Sequence, residues 1–151
     1  MGQLLTTSAI CLDCASQSKK RVLEHAAHLL SLSDPMQAEQ IFARLLARER
    51  LGSTGLTAGV ALPHARLPDL THSRGTFIRL RQAIDFDSQD GQLVDLVFVL
   101  LVPETAQQDH LHLLAQLAAL FRDTAICQQL RGLSDVHQVH QLFSQVISNA
   151  T

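Results

Sequence analysis

The chain has 151 residues, 46% apolar, 4% aromatic with no Trp or Tyr, and a formal charge of −2. That length holds one domain spanning residues 1–151, with a core of Leu, Val, Ile, Ala and Phe, and no basic block beyond Lys19-Lys20-Arg21 supports a nucleic-acid partner. No apolar run nears the roughly 20 residues of a membrane helix, MGQLLTTSAI lacks the pattern of a secretory signal, and three Cys without framework spacing fit a reducing, cytoplasmic setting.

A short strand is expected near Ala9–Leu12. Cys11 and Cys14 form a single C-x-x-C; a zinc site would need two further ligands at suitable spacing, so they read as unpaired thiols. Ser18 caps a helix over Lys19–Leu30, whose stripe is Val22, Ala26, Leu29 and Leu30. His25 and His28 fall on its edge or outer side and read as a solvated pair. Asp34, Pro35 and Gln37 open a second helix as cap, first helical residue and capping-box amide. Its stripe runs Ala38, Ile41, Phe42, Leu45 and Leu46, and Gly52 fits the C′ stop. One turn further the stripe meets Arg48 and Glu49. Inward charges need partners or a wet cleft, so this helix end borders a site.

The segment GSTGLTAGVALPHARLP follows. Its glycines allow tight turns, and Ser53 and Thr54 offer hydroxyls as candidate phosphate-binding groups; the Gly-Lys-Ser/Thr ending of a Walker A loop is missing. Gly59–Leu62 reads as a strand stopped by Pro63. His64 is then expected at or just past its carboxyl end, where α/β sheets place ligands. Thr76–Leu80 is a further strand and Asp85–Gly91 a polar loop. Val94–Val102 is a continuous β-branched run, expected to be buried on both faces. Helices follow over Gln107–Arg122, Thr124–Leu130 and Asp135–Val146. In the first of them His110, Leu114, Leu117 and Phe121 share a face, while His112 lies about 200° further around. His137 and His140 read as surface residues. The fold class is α/β: a buried sheet with helices on both faces.

His64 behind a strand and a rigid Pro, inward His110 in a helix's first turn, and inward Arg48 in a helix's last turn together suggest an anion site. A neutral imidazole is a nucleophile near pH 7. A phosphoryl group on it needs donors, which a guanidinium fork and a helix N-terminus supply. Nothing in this arrangement calls for a metal or a cofactor.

The stretches RERLGSTGLTAGVALPHAR (Arg48–Arg66), VDLVFVLLVPE (Val94–Glu104) and DHLHLLAQLA (Asp109–Ala118) resemble the fructose/mannitol-type IIA proteins of the phosphoenolpyruvate-dependent phosphotransferase system, most of all their nitrogen-regulatory branch. The resemblance covers nearly the whole chain. It implies a single type-2 IIA domain with a mixed sheet of about five strands flanked by helices. It also implies phosphorylation of His64, with the far (tele) ring nitrogen a candidate although the sequence leaves the nitrogen open. His110 would be the active-site partner and Arg48 would line the pocket. The donor would be a histidine-containing phosphocarrier protein, and the regulated targets kinases or potassium transporters. Two alternatives stand beside this reading: a sugar-specific IIA passing phosphate to a separate IIB component, and an interaction module that is never phosphorylated. Ala65 stands where Gly commonly follows the His, a small-for-small change.

Overall fold

A computed structural model describes residues 4–31, 34–105 and 108–150, and for 108–110 and 148–150 the backbone alone. The strands are β1 (Ile10–Cys14), β2 (Val60–Ala61), β3 (His64–Leu67), β4 (Arg74–Ile84) and β5 (Val94–Pro103). The helices are α1 (Lys19–Leu30), α2 (Pro35–Leu51), α3 (Gln108–Arg122), α4 (Thr124–Gly132) and α5 (Val136–Ala150). The sheet runs β1-β4-β5-β2, with β3 also on β5. Only the β4–β5 pair is antiparallel among these pairings; the others are parallel, so the five-stranded sheet is mixed.

The apolar run Leu96–Val102 of β5 is explained by its central place. Val97, Val99 and Leu101 pack on one side and Leu96, Phe98, Leu100 and Val102 on the other, all without solvent exposure. Each side has its own core. α1 and α2 cover the first through Val22, Leu23, Ala26, Leu30, Ile41 and Leu45. α3, α4 and α5 cover the second through Leu117, Phe121, Leu130, Val139 and Phe143. With no Trp or Tyr available, four phenylalanines close this second core: Phe77 and Phe98 from the sheet meet Phe121 and Phe143 from the helices at 5.1–6.5 Å between ring centroids. Phe86 is fully buried too, although it sits in the polar loop after β4.

Capping follows the side chains available. Ser18 accepts from the Arg21 amide at 3.2 Å, and Asp34 from the Met36 amide at 3.1 Å ahead of Pro35. Gln37 does not complete a capping box; its carbonyl oxygen accepts from Arg74 instead. Gly52 serves as the C-cap of α2 itself, its N–H donating to the Glu49 carbonyl at 3.2 Å.

One expectation is corrected around Pro63. The chain does not leave the sheet there. Val60 and Ala61 pair with Leu96 and Val97, and after two residues His64 and Ala65 pair with Leu100 and Leu101 in the same register. β2 and β3 are therefore one edge strand with a gap. Pro63 has no N–H to give, while its carbonyl still accepts from Leu100 at 2.9 Å. The Leu62 N–H turns outward to the Thr54 carbonyl at 3.0 Å. His64 thus opens a strand rather than trailing one, and the local side-chain alternation buries Ala65 and Leu67 while His64 and Arg66 share the partly exposed face.

Candidate functional site

His64 is half-buried at the mouth of a cavity of about 360 Å³, lined also by Arg44, Ala47, Arg48, Leu51, Ala65 and Arg66. α2 supplies one wall and β3 the other. Its ring Nδ1 lies 3.0 Å from the Leu62 carbonyl oxygen. A carbonyl only accepts, so Nδ1 carries the proton and the ring's lone pair belongs to Nε2. Burial pushes the His64 pKa below the ordinary 6.5; Arg48 adds to the fall, while the Leu62 carbonyl and Glu49 pull the other way. The imidazole is accordingly neutral at pH 7, as a nitrogen nucleophile must be.

Three guanidiniums surround it. Arg48 donates to the Gly52 carbonyl at 2.9 Å, Arg66 to the Glu104 carbonyl at 3.0 Å, and Arg44 to the Arg66 carbonyl at 3.4 Å. Among the described residues none of the three pairs with a carboxylate. Backbone carbonyls orient these cations without neutralising them, which leaves the cavity suited to an anion. Sequence reasoning found Arg48 and missed Arg44 and Arg66. Their signal was present: Arg44 and Arg48 are i, i+4 on one helix, and Arg66 is i+2 from His64 on one strand.

Glu49 takes the other inward position and turns into the protein. It is 7% exposed. Its Oε1 accepts from Thr54 Oγ1 at 2.5 Å, and its Oε2 from the Thr54 amide at 2.9 Å and Lys19 Nζ at 3.2 Å. Lys19 also reaches Asp87 at 2.9 Å and lies 5.1 Å above the Phe86 ring centroid. Burial opposes the charge on Lys19, but Asp87 and Glu49 outweigh it and hold its pKa above the usual value. Ser53 donates to the Phe86 carbonyl at 2.6 Å. The hydroxyls of Ser53 and Thr54 therefore fasten the loop after α2, and neither residue lines the cavity beside His64. Replacing Glu49 with Ala strands the Thr54 donors and Lys19, with an expected loss of about 2–3 kcal/mol. Thermal unfolding should register it as a melting temperature lowered by roughly 5–10 °C, whereas an unchanged midpoint would show that water replaces the carboxylate.

His110 lies in the first turn of α3, but its side chain lies outside the described residues. His112 is exposed, and Leu117 and Phe121 are buried, as the helical periodicity requires. His137 is exposed, while His140 is half-buried and its Nε2 meets the Leu5 carbonyl at 2.7 Å. Among the described residues no helix is long and apolar enough to cross a membrane.

Residues 3–146 match the family model described as "Phosphoenolpyruvate-dependent sugar phosphotransferase system, EIIA 2". The chain is 41% identical over 147 residues to a nitrogen regulatory protein of Pseudomonas aeruginosa, covering 97% of this chain and 96% of that one. The crystal structure of the nitrogen regulatory protein IIA-Ntr from Neisseria meningitidis superposes with a TM-score of 0.88 at 42% identity, over 93% of this chain and 97% of that one. IIA mannitol from Escherichia coli shares the fold, with a TM-score of 0.72 at 19% identity over 89% and 95% of the two chains.

Proposed function

Since the chain belongs to the EIIA 2 family of the phosphoenolpyruvate-dependent sugar phosphotransferase system, among its nitrogen regulatory members, we propose that it is a regulatory phosphocarrier in which His64 accepts a phosphoryl group from a histidine-containing phosphocarrier protein. One observation carries this reading: the His64 imidazole, its Nδ1 3.0 Å from the Leu62 carbonyl oxygen, faces a cavity lined by three arginines that no described carboxylate neutralises.

The transfer balances without moving a proton. The N–P bond of the donor phosphohistidine breaks and its electron pair returns to the donor nitrogen. The Nε2 lone pair of His64 forms the new N–P bond, in line with the leaving nitrogen. Nδ1–H stays on the Leu62 carbonyl throughout. The phosphorylated ring becomes cationic, and that carbonyl and Glu49 are on hand to stabilise it. Arg48, with Arg44 and Arg66 beside it, meets the phosphoryl oxygens as the loose transition state spreads charge over them. Ser53 and Thr54 contribute by holding the loop that ends α2. His110, by resemblance, is the second imidazole at the phosphoryl group. The phosphorylation state then sets binding to cytoplasmic protein partners, of which kinases and potassium transporters are the classes the family resemblance suggests.

The test is incubation of the full chain with phosphoenolpyruvate, enzyme I and the phosphocarrier protein, followed by intact mass. A gain of one phosphoryl group is expected, and no gain under conditions that charge a known IIA protein would end the proposal. Arg48→Ala should slow the transfer about tenfold or more, because a charge-assisted hydrogen bond is worth about 1.5–3 kcal/mol. Its melting temperature should fall much less than that of Leu45→Ala, where buried volume worth about 2–5 kcal/mol is lost. Normal transfer by folded Arg48→Ala would make this residue structural only.

A further inference from the structure

The two cysteines of the C-x-x-C segment do not behave as strand residues three apart ordinarily do. In a regular strand such residues face opposite sides of the sheet. Here the β1–β4 register slips: Cys11 pairs with Ile78 but Cys14 with Leu80, so three steps along β1 answer two along β4. The irregularity turns both cysteines onto the α1–α2 side, where Cys14 joins the core and Cys11 packs against it. α1 lies across that side and brings His25 down to them. One ligand atom each from Cys11, Cys14 and His25 lies within 4.8 Å of the other two. Residues 11, 14 and 25 are far from Cys2His2 finger spacing, so sequence arithmetic alone does not assemble them.

We infer that Cys11, Cys14 and His25 form a binding site for a thiophilic transition-metal ion, with zinc(II) the expected occupant. Two thiolates and an imidazole suit zinc and exclude magnesium and calcium. Tetrahedral zinc holds two thiolate sulfurs about 3.8 Å apart, from Zn–S bonds of about 2.3 Å. Sulfur and imidazole nitrogen sit about 3.5 Å apart at the same centre, so the three groups need to close by about 1.3 Å at most, within side-chain rotation. His25 also lines a surface cavity of about 610 Å³ with Ser16, Glu24 and His28. That cavity opens the His25 side of the site to water, which supplies the fourth ligand. Binding displaces one proton from each thiol to solvent, so the uncharged ligand set takes up the ion and releases two protons. β4 and β5 separate β1 from β3 in the sheet, so the site is distinct from the His64 cavity and independent of the phosphocarrier reading.

The decisive experiment uses the full-length, untagged, metal-free chain under a phosphine reductant, titrated with cobalt(II). Saturation at one cobalt per chain is expected, with a thiolate-to-cobalt charge-transfer band and the d–d absorption of a tetrahedral centre, both erased by one equivalent of zinc. Cys11→Ser should lose the charge-transfer band and His25→Ala the tetrahedral d–d absorption, both variants keeping the wild-type circular dichroism spectrum. Cys127→Ala, altering the thiol buried in the opposite core, should keep both. Reduced wild-type protein that shows no charge-transfer band overturns the site. So does a band that survives in Cys11→Ser or disappears in Cys127→Ala.

Discussion

A His64→Ala chain presented with phosphoenolpyruvate, enzyme I and phosphocarrier protein should gain no mass, where the parent chain is expected to gain one acid-labile, alkali-stable phosphoryl group. The loss should be complete, because no other described histidine combines a carbonyl-held Nδ1 proton with a cavity lined by Arg44, Arg48 and Arg66. The fold should survive, since His64 is half-exposed on an edge strand and belongs to neither core. Nitrogen NMR of the unphosphorylated parent adds a second reading. The Nδ1–H tautomer should dominate, and the ring should titrate with a midpoint below 6.5, burial being the main cause. Phosphoryl attachment should map to Nε2. Equal phosphorylation of the His64→Ala chain would move the acceptor elsewhere, and attachment at Nδ1 would require the Leu62 hydrogen bond to break first.

The next largest effect is expected from the HLH triplet of α3, whose two histidines composition treats as equals. His110→Ala should slow transfer to or from His64 by about 10²–10³-fold, the scale on which a preorganised donor to developing charge matters. His112→Ala should be close to silent, since His112 is exposed. His110→Gln keeps a donor of similar reach and should fall between. Transfer rate and melting temperature measured on the same three variants separate chemistry from packing. If His110→Ala lowers only the melting temperature, the residue is a core histidine. If His112→Ala carries the rate loss, the helix face has been assigned wrongly.

The elements legible in the sequence are those whose physics is local. α1 announces itself by a Ser cap and a 3.6-residue stripe, and β5 by the uninterrupted apolar run Leu96–Val102. Arg48 and Glu49 were legible for a related reason: charge at an inward position must be answered, and the answer is a cavity for one and the Thr54–Lys19 network for the other. What escaped depends on partners distant in the chain. β3 was missed because Pro63 reads as a terminator, while the hydrogen bonds that keep the strand on register come from β5. Arg44 and Arg66 look like ordinary solvated residues until α2 and β3 are set side by side. Phe86 sits in a polar segment, and its burial follows from Lys19 and Ser53 drawing that loop inward. The grouping of Cys11, Cys14 and His25 needs a slip in strand register that no local pattern announces.

The gap at Pro63 has a consequence for how other proteins can approach. β2 and β3 form an outer margin of the sheet, and an open margin is a template for a foreign strand. Here the template is defaced. The Leu62 N–H is spent on Thr54, the Leu62 carbonyl on the His64 ring, and the Arg66 carbonyl on Arg44. Glycine-rich backbone folds over the β2 end, where Gly55 bridges to Ala61. A second polypeptide therefore finds no ladder to extend, and self-association by strand addition is discouraged at the very place where charged side chains gather. Under the proposed function, proteins exchanging a phosphoryl group at His64 would dock through side-chain complementarity around it, which would allow them to leave again once the exchange is made.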